Sequence, residues 1–316
     1  MGMKRFTALL AAIAPVLLFT FTVSAQEQAS QGTPANPSDG VGVESVIVTA
    51  PGQRPEKALN NFVIGHTAPS PLLGKIARWK TGICPLTVGL PARFNVYISQ
   101  RILRVATTAG APLASSEPCR PNVLVLATPE PQKLLDFIRE KRKALLGFHY
   151  RPQAQRIATM TLPVQAWYST ATEDFKGFIN ADLPSGSLGY GVMSNDGEVG
   201  GYYTSGSRLG DGLKSEFTTA IIIVDTTKIG GQEIGPLADY IAMLALSQGQ
   251  YYDVCQEIPT ITNLWAPGCG GDRKPAGLTD IDVTYLRGLY KMNAGTSFMG
   301  QRGSIAYEMK KDLGGY

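Results

Sequence analysis

The sequence predicts a mixed α/β fold of the α+β kind, a sheet packed with helices and closed by two disulfides. Three observations carry that reading. Short β-branched runs such as "NVLVLAT" and "EFTTAIIIVD" alternate with longer stretches of helical periodicity. Four cysteines, Cys84, Cys119, Cys255 and Cys269, all lie downstream of an export signal, and an even count in an oxidising compartment reads as disulfides. No internal repeat interrupts the pattern.

The signal comes first. Lys4 and Arg5 precede the apolar run "FTALLAAIAPVLLFTFTV", which closes on Val23-Ser24-Ala25, a signal-peptidase pattern. Residues 1–25 are therefore expected to be removed, leaving no segment apolar and long enough to span a membrane. Without Lys4 and Arg5 the balance is 27 Lys and Arg against 25 Asp and Glu, which gives no case for nucleic acid. The remaining polar stretch 26–43 reads as a disordered linker, and 44–67 as an extended leader containing "VIVTA". Residues 68–316 are expected to form a single domain with a Gly-rich insertion around 184–214.

Within that domain each element has a local reason. "CPLTVGL" reads as a strand, and "ARFNVYISQRILRVATTAG" as a helix stopped by Gly110. "NVLVLAT" is a buried strand by its continuous apolar content. "EPQKLLDFIREKRKALLG" predicts an amphipathic helix over 131–146 that turns Leu134, Leu135, Ile138, Leu145 and Leu146 inward and stops at Gly147. One or two strands follow in "QRIATMTLPVQAWYSTATED", then hairpin chemistry in "NDG". "IGPLADYIAMLALSQG" places Leu237, Tyr240, Ile241 and Leu244 on one helical stripe. "LTDIDVTYLRGLYKM" opens with a capping box, Thr279 and Asp282, and a staple, Leu278 and Val283. The four cysteines allow three pairings; the sequence-local one, Cys84–Cys119 and Cys255–Cys269, is favoured.

The order strand, helix, "PNVLVLAT", helix, "TTAIIIVD", "LADYIAMLALSQ", "IPTITNLW", "LTDIDVTYLRGLY" resembles secreted zincin metalloproteases of the metzincin type over roughly residues 75–293. In that family the helix after the strand carries H-E-L-G-H-A-L-G-L, and a later helix resembles LTxxDxxxLRxLY. The resemblance puts the first ligand histidine at Asp239, the catalytic glutamate at Tyr240 and the second histidine at Met243. A zinc peptidase needs two imidazoles four apart on one helical face, a third ligand and a carboxylate. The only histidines, His66 and His149, lie far upstream, so the expectation is a degenerate active-site helix serving as scaffold, with no metal and no cofactor.

Other chemistries have thinner support. No G-x-S-x-G elbow and no phosphate-binding glycine loop is present. A carboxylate pair remains open among Glu173, Asp174, Glu198, Asp211, Asp253, Glu257, Asp280 and Asp282, because sequence spacing does not give spatial separation. Tyr202, Tyr203, Tyr251 and Tyr252 form a candidate recognition surface for a peptide or glycan. Arg139, Lys141, Arg142 and Lys143, with Arg151 and Arg156, read as a solvated basic face open to an anionic partner. The expected protein is periplasmic or secreted, a non-catalytic binding or envelope-accessory protein with a peptide, a glycan or an envelope protein as partner. The alternatives are a hydrolase built on an unidentified carboxylate pair and a partner of an outer-membrane or transport assembly.

Overall fold

The computed structural model describes residues 55–116, 118–182, 192–193, 199–200, 202–205, 210–250 and 252–314. The signal, the linker, "VIVTA", Tyr251 and most of the Gly-rich insertion, Glu198 included, lie outside them. Among the described residues the fold is α+β: a mixed five-stranded sheet with seven helices and two disulfides.

Strands β1 (Pro85–Val88), β2 (Val123–Thr128), β3 (Val164–Glu173), β4 (Ile179–Ala181) and β7 (Lys214–Asp225) form that sheet in the order β1-β2-β7-β3-β4. β1, β2 and β7 run parallel; β3 is antiparallel to both β7 and β4. A separate two-residue ribbon pairs β5 (Val192–Met193) with β6 (Val199–Gly200) around the expected "NDG" turn, which itself falls outside the described residues.

Helices cover both faces, as a parallel strand set with continuous apolar runs requires. On one side lie α1 (Pro55–His66), α2 (Ala92–Ala109), α5 (Ile234–Leu246), α6 (Asp280–Lys291) and α7 (Phe298–Asp312), packed on Val123, Val125, Phe217, Ala220, Ile222 and Val224. On the other side α3 (Pro131–Lys141), a 3₁₀ turn (Lys143–Leu146) and α4 (Arg151–Ile157) bury Leu135, Ile138 and Leu146 against Trp167, Ile221 and Ile223.

Most sequence expectations hold at the level of single residues. Gly110 takes the left-handed conformation (φ 76°) that ends α2. Thr279 and Asp282 form the capping box of α6. Both disulfides take the sequence-local pairing, closing separations of 35 and 14 residues, each stabilising by roughly 3 kcal/mol in the chain-entropy picture.

Four expectations fail, each for an identifiable reason. Residues 55–66, expected as part of an extended leader, are helix α1, because Ala58, Leu59, Phe62 and Val63 recur on one helical face and enter the main core. The 131–146 helix ends at Lys141, and the chain then tightens so that Leu146 reaches the sheet and the Leu145 carbonyl accepts from Ser169 Oγ (3.0 Å). Residues 155–157, expected in a strand, end α4. Finally, α5 is not striped: every residue from Pro236 to Leu246 is buried, the signature of a helix enclosed on all sides.

Candidate functional site

The enclosure of α5 decides what Asp239, Tyr240 and Met243 do. Asp239 accepts from Arg101 of α2 through both carboxylate oxygens, Nη2 to Oδ2 at 3.1 Å, and Oδ2 also accepts from the Leu278 N–H at 3.0 Å. Donation to Asp239 is the main reason the Arg101 guanidinium is held above its ordinary pKa. Tyr240 and Met243 are core; the Tyr240 ring meets Trp265 edge-on at 4.6 Å. At the far end the helix carbonyls, orphaned by geometry, are met by aromatic donors. Tyr168 Oη donates to Leu244 O (2.7 Å), Trp79 Nε1 to Ala245 O (2.7 Å) and Tyr290 Oη to Leu246 O (2.9 Å).

The loop between α5 and α6 is equally occupied. Asn263, within the "ITNLW" turn, accepts from Gln256 N and donates to the carbonyls of Gln256, Ile258 and Arg273. His66 faces the same loop. Its Nδ1 lies 2.9 Å from the Phe62 carbonyl, which can only accept, so Nδ1 carries the proton and Nε2 accepts from Thr262 Oγ1 (2.9 Å). Burial lowers this imidazole to about 4, against a smaller opposing contribution from the Phe62 bond. Thr260 Oγ1 in turn reaches Asp282, whose carboxyl is pushed up by burial despite four hydrogen bonds. Among the described residues no group of three His, Cys, Asp or Glu is placed to hold a metal ion.

Open chemistry gathers elsewhere, at the lower end of the β3–β7 ladder. A cleft of about 410 Å³ is lined by Arg78, Trp79, Lys80, Glu173, Lys214, Glu216, Tyr290 and Asn293, among others. The strand register explains why two carboxylates meet there. A bulge falls between the pairs Ser169↔Thr219 and Thr170↔Phe217, leaving Thr218 as the extra residue on β7. Above it Ala220, Ile222 and Val224 face the main core; below it Phe217 takes over that face, so Glu216 and Lys214 are turned to the other. Glu216 opposes Ala171 and Lys214 opposes Glu173, which makes the two glutamates diagonal neighbours on one face.

Their environments differ. Glu173 accepts from Lys80 (2.5 Å) and Lys214 (3.2 Å). Burial alone would raise its carboxyl, but the two ammonium groups together hold it below the usual range. Glu216 is 4% exposed, and its Oε2 has no hydrogen-bond partner among the described residues. Burial, assisted by the charge on Glu173 and opposed by Lys80 and Lys214, raises its carboxyl. Arg78 is spoken for: its Nη1 donates to the carbonyls of Leu289, Tyr290 and Met292 (3.1, 2.6 and 3.0 Å).

Next to this cleft stands an aromatic rim. Asp174 Oδ1 accepts from the backbone N–H groups of Lys176 and Phe178 (both 2.9 Å), and Oδ2 from that of Tyr203 (3.2 Å), folding the β3–β4 turn around itself. Phe175, Phe178, Ile179, Tyr202 and Tyr203 are left exposed, with Lys176 Nζ 3.6 Å from the centre of the Tyr203 ring. Of the four tyrosines expected to form a recognition surface, Tyr202 and Tyr203 belong to this rim. Tyr252 does not: it packs on the core beside His66, its hydroxyl 3.0 Å from Ser247 Oγ.

Of the carboxylates weighed in the sequence, Asp211 pairs with Lys75, Asp282 caps α6, and Asp280 is exposed in the first turn of that helix. Sequence reasoning missed Glu216, Lys80 and Lys214; the clue was the "TT" in "EFTTAIII", where alternation stumbles. No protein family, curated protein or solved structure matches the chain.

Proposed function

We propose that this chain is an exported, non-catalytic binding protein on a zincin-like layout, taking an extended peptide at the rim and cleft that end the β3–β7 ladder. The observation that carries the reading is the occupation of Asp239: both oxygens are engaged by Arg101 and the Leu278 amide, and Tyr240 and Met243 are interior. A helix so enclosed offers no group for activating water. The two disulfides suit an oxidising compartment, and no described helix is long and apolar enough to cross a membrane.

Peptide is favoured by what lies exposed. β4 is the outermost strand of the described sheet, and its outer side, unpaired among the described residues, suits strand addition, with Phe178 and Tyr203 beside it for alternate side chains. Lys80 and Lys214 keep ammonium protons beyond those given to Glu173, which suits an acidic side chain or a terminal carboxylate. Calorimetric titration of residues 26–316 with extended acidic peptides tests this. Binding that Tyr203→Ser and Lys214→Ala each weaken supports the proposal; no heat with any acidic peptide sinks it.

A second reading rests on the opposed shifts of Glu216 and Glu173, the pattern of a general acid paired with a base. It ranks second because both Glu173 oxygens are held by ammonium groups, which lowers the basicity such a role requires. Glycoside hydrolysis abolished by Glu216→Gln, with peptide binding absent, would reverse the ranking.

A further inference from the structure

We infer that the outer face of the α3–3₁₀–α4 layer docks onto an anionic phospholipid surface, independently of any ligand at the cleft. The first ground is where the charge lies. Residues 130–157 carry seven Lys and Arg against three Asp and Glu; the rest of the chain is balanced at 22 of each. Without Lys4 and Arg5 that remainder is 20 Lys and Arg against 22 Asp and Glu, so the net positive charge of residues 26–316 belongs to this one layer.

The second ground is how that charge is spent. All three acids are already paired inside the layer: Glu130 with Lys133, Asp136 with Arg139 (3.2 Å) and Glu140 with Lys141 (2.7 Å). Arg142, Lys143, Arg151 and Arg156 are exposed and make no ion pair among the described residues. A favourable charge at the C-terminal end of α3 accounts for Arg139 and Lys141. It does not account for the four beyond.

The third ground is apolar. The layer's inner side is satisfied, with Leu134, Leu135, Ile138, Leu146 and Ile157 packed toward the sheet. Phe137 points the other way, 55% exposed, with Lys133 and Lys141 one turn before and one turn after it on the same helical stripe. Tyr150 is also 55% exposed and stands edge-on to Phe148 at 5.1 Å. The layer holds together as a platform: Gln132 of α3 donates to the Ala158 carbonyl and accepts from Met160 N, both at 2.9 Å, locking the end of α4 to the start of α3. Phe137 between Lys133 and Lys141, and Tyr150 next to Arg151, unpaired among the described residues, suit the headgroup–acyl boundary, where aromatic and cationic side chains are accommodated together. A soluble polyanion would use the cations alone.

Co-sedimentation of residues 26–316 with vesicles of phosphatidylglycerol and phosphatidylethanolamine, against pure phosphatidylcholine, tests the inference. Binding is expected to the anionic vesicles only and to weaken as salt rises. The double variant Arg142→Glu/Lys143→Glu removes two cations and adds two anions; loss of the cations alone, at roughly fivefold each, should weaken binding by about 25-fold, and the added anions further. Phe137→Ser, at an exposed position that leaves the fold intact by circular dichroism, should weaken binding with every charge in place. No binding to anionic vesicles, equal binding to neutral ones, or indifference to Phe137→Ser would each overturn the inference. So would heparin binding as tight as vesicle binding and unaffected by Phe137→Ser.

Discussion

Arg101 and Asp239, 138 residues apart in sequence, share a two-pronged ion pair that joins α2 to α5, and the Leu278 amide adds a third bond from the approach to α6. Asp239 is the more enclosed partner, its side chain 6% exposed against 31% for Arg101. The packing is tight enough that a Cβ at Gly277 would sit 2.9 Å from Asp239 Oδ2.

Replacing Asp239 by Ala therefore strands a half-buried guanidinium and an amide together. The expected loss is about 2–4 kcal/mol in urea unfolding, with the slope of the transition unchanged. A loss within experimental error would show that the pair is ornamental.

His66 should impose acid sensitivity. Its folded value of about 4 lies below the ordinary 6.5, so the unfolded chain binds a proton at pH values where the folded chain does not. Stability contributed by this group is complete above pH 6.5 and declines as pH falls toward 4, by about 3 kcal/mol in all. Unfolding measured at pH 7 and at pH 4.5 should show the decline in the native chain. His66→Gln should remove that component of it.

Glu216 should act with the opposite sign. Its folded carboxyl is raised, so the stability it contributes is present below the ordinary glutamate range and is lost as pH climbs through the raised value. Glu216→Gln, which cannot ionise, should accordingly gain on the native chain as pH increases from 4.5 to 8. A stability difference constant across that range would mean that the carboxyl is not perturbed by its surroundings.

Tyr168 donates to two carbonyls at the end of α5, those of Leu244 and Ser247. Tyr168→Phe keeps the ring, stacked on Phe217 at 5.0 Å, and deletes only the donor. Roughly 1–3 kcal/mol should be lost, read as a lowered thermal midpoint without change in circular dichroism at 20 °C or thereabouts.

Local signals made most of the scaffold legible. β2 and β7 were written as unbroken apolar runs, α2 had its terminal glycine and α6 its capping box. Helix α1 was harder because it follows directly on the Pro- and Gly-rich "APGQR", which reads as extended chain, and α7 because Gln301 occupies an interior position, bonded to Ile76 N and Ala294 O. The cleft was illegible for a different reason. Strand parity places Glu216 on the core face with Ala220 and Ile222; only the bulge at Thr218 turns it away, and bulges leave almost no mark in composition. Likewise nothing near Asp239 in sequence names Arg101 as its partner.

The aromatic closure of α5 constrains what this chain can become. Its last carbonyls are held by Tyr168, Trp79 and Tyr290, and its second turn by Arg101 through Asp239, so the rod is pinned at both places. Histidines grafted at 239 and 243 would arrive inside a sealed interior, where nothing can approach them. Building a hydrolytic centre along that helix would demand prising apart several anchored junctions at once, with no stable arrangement halfway.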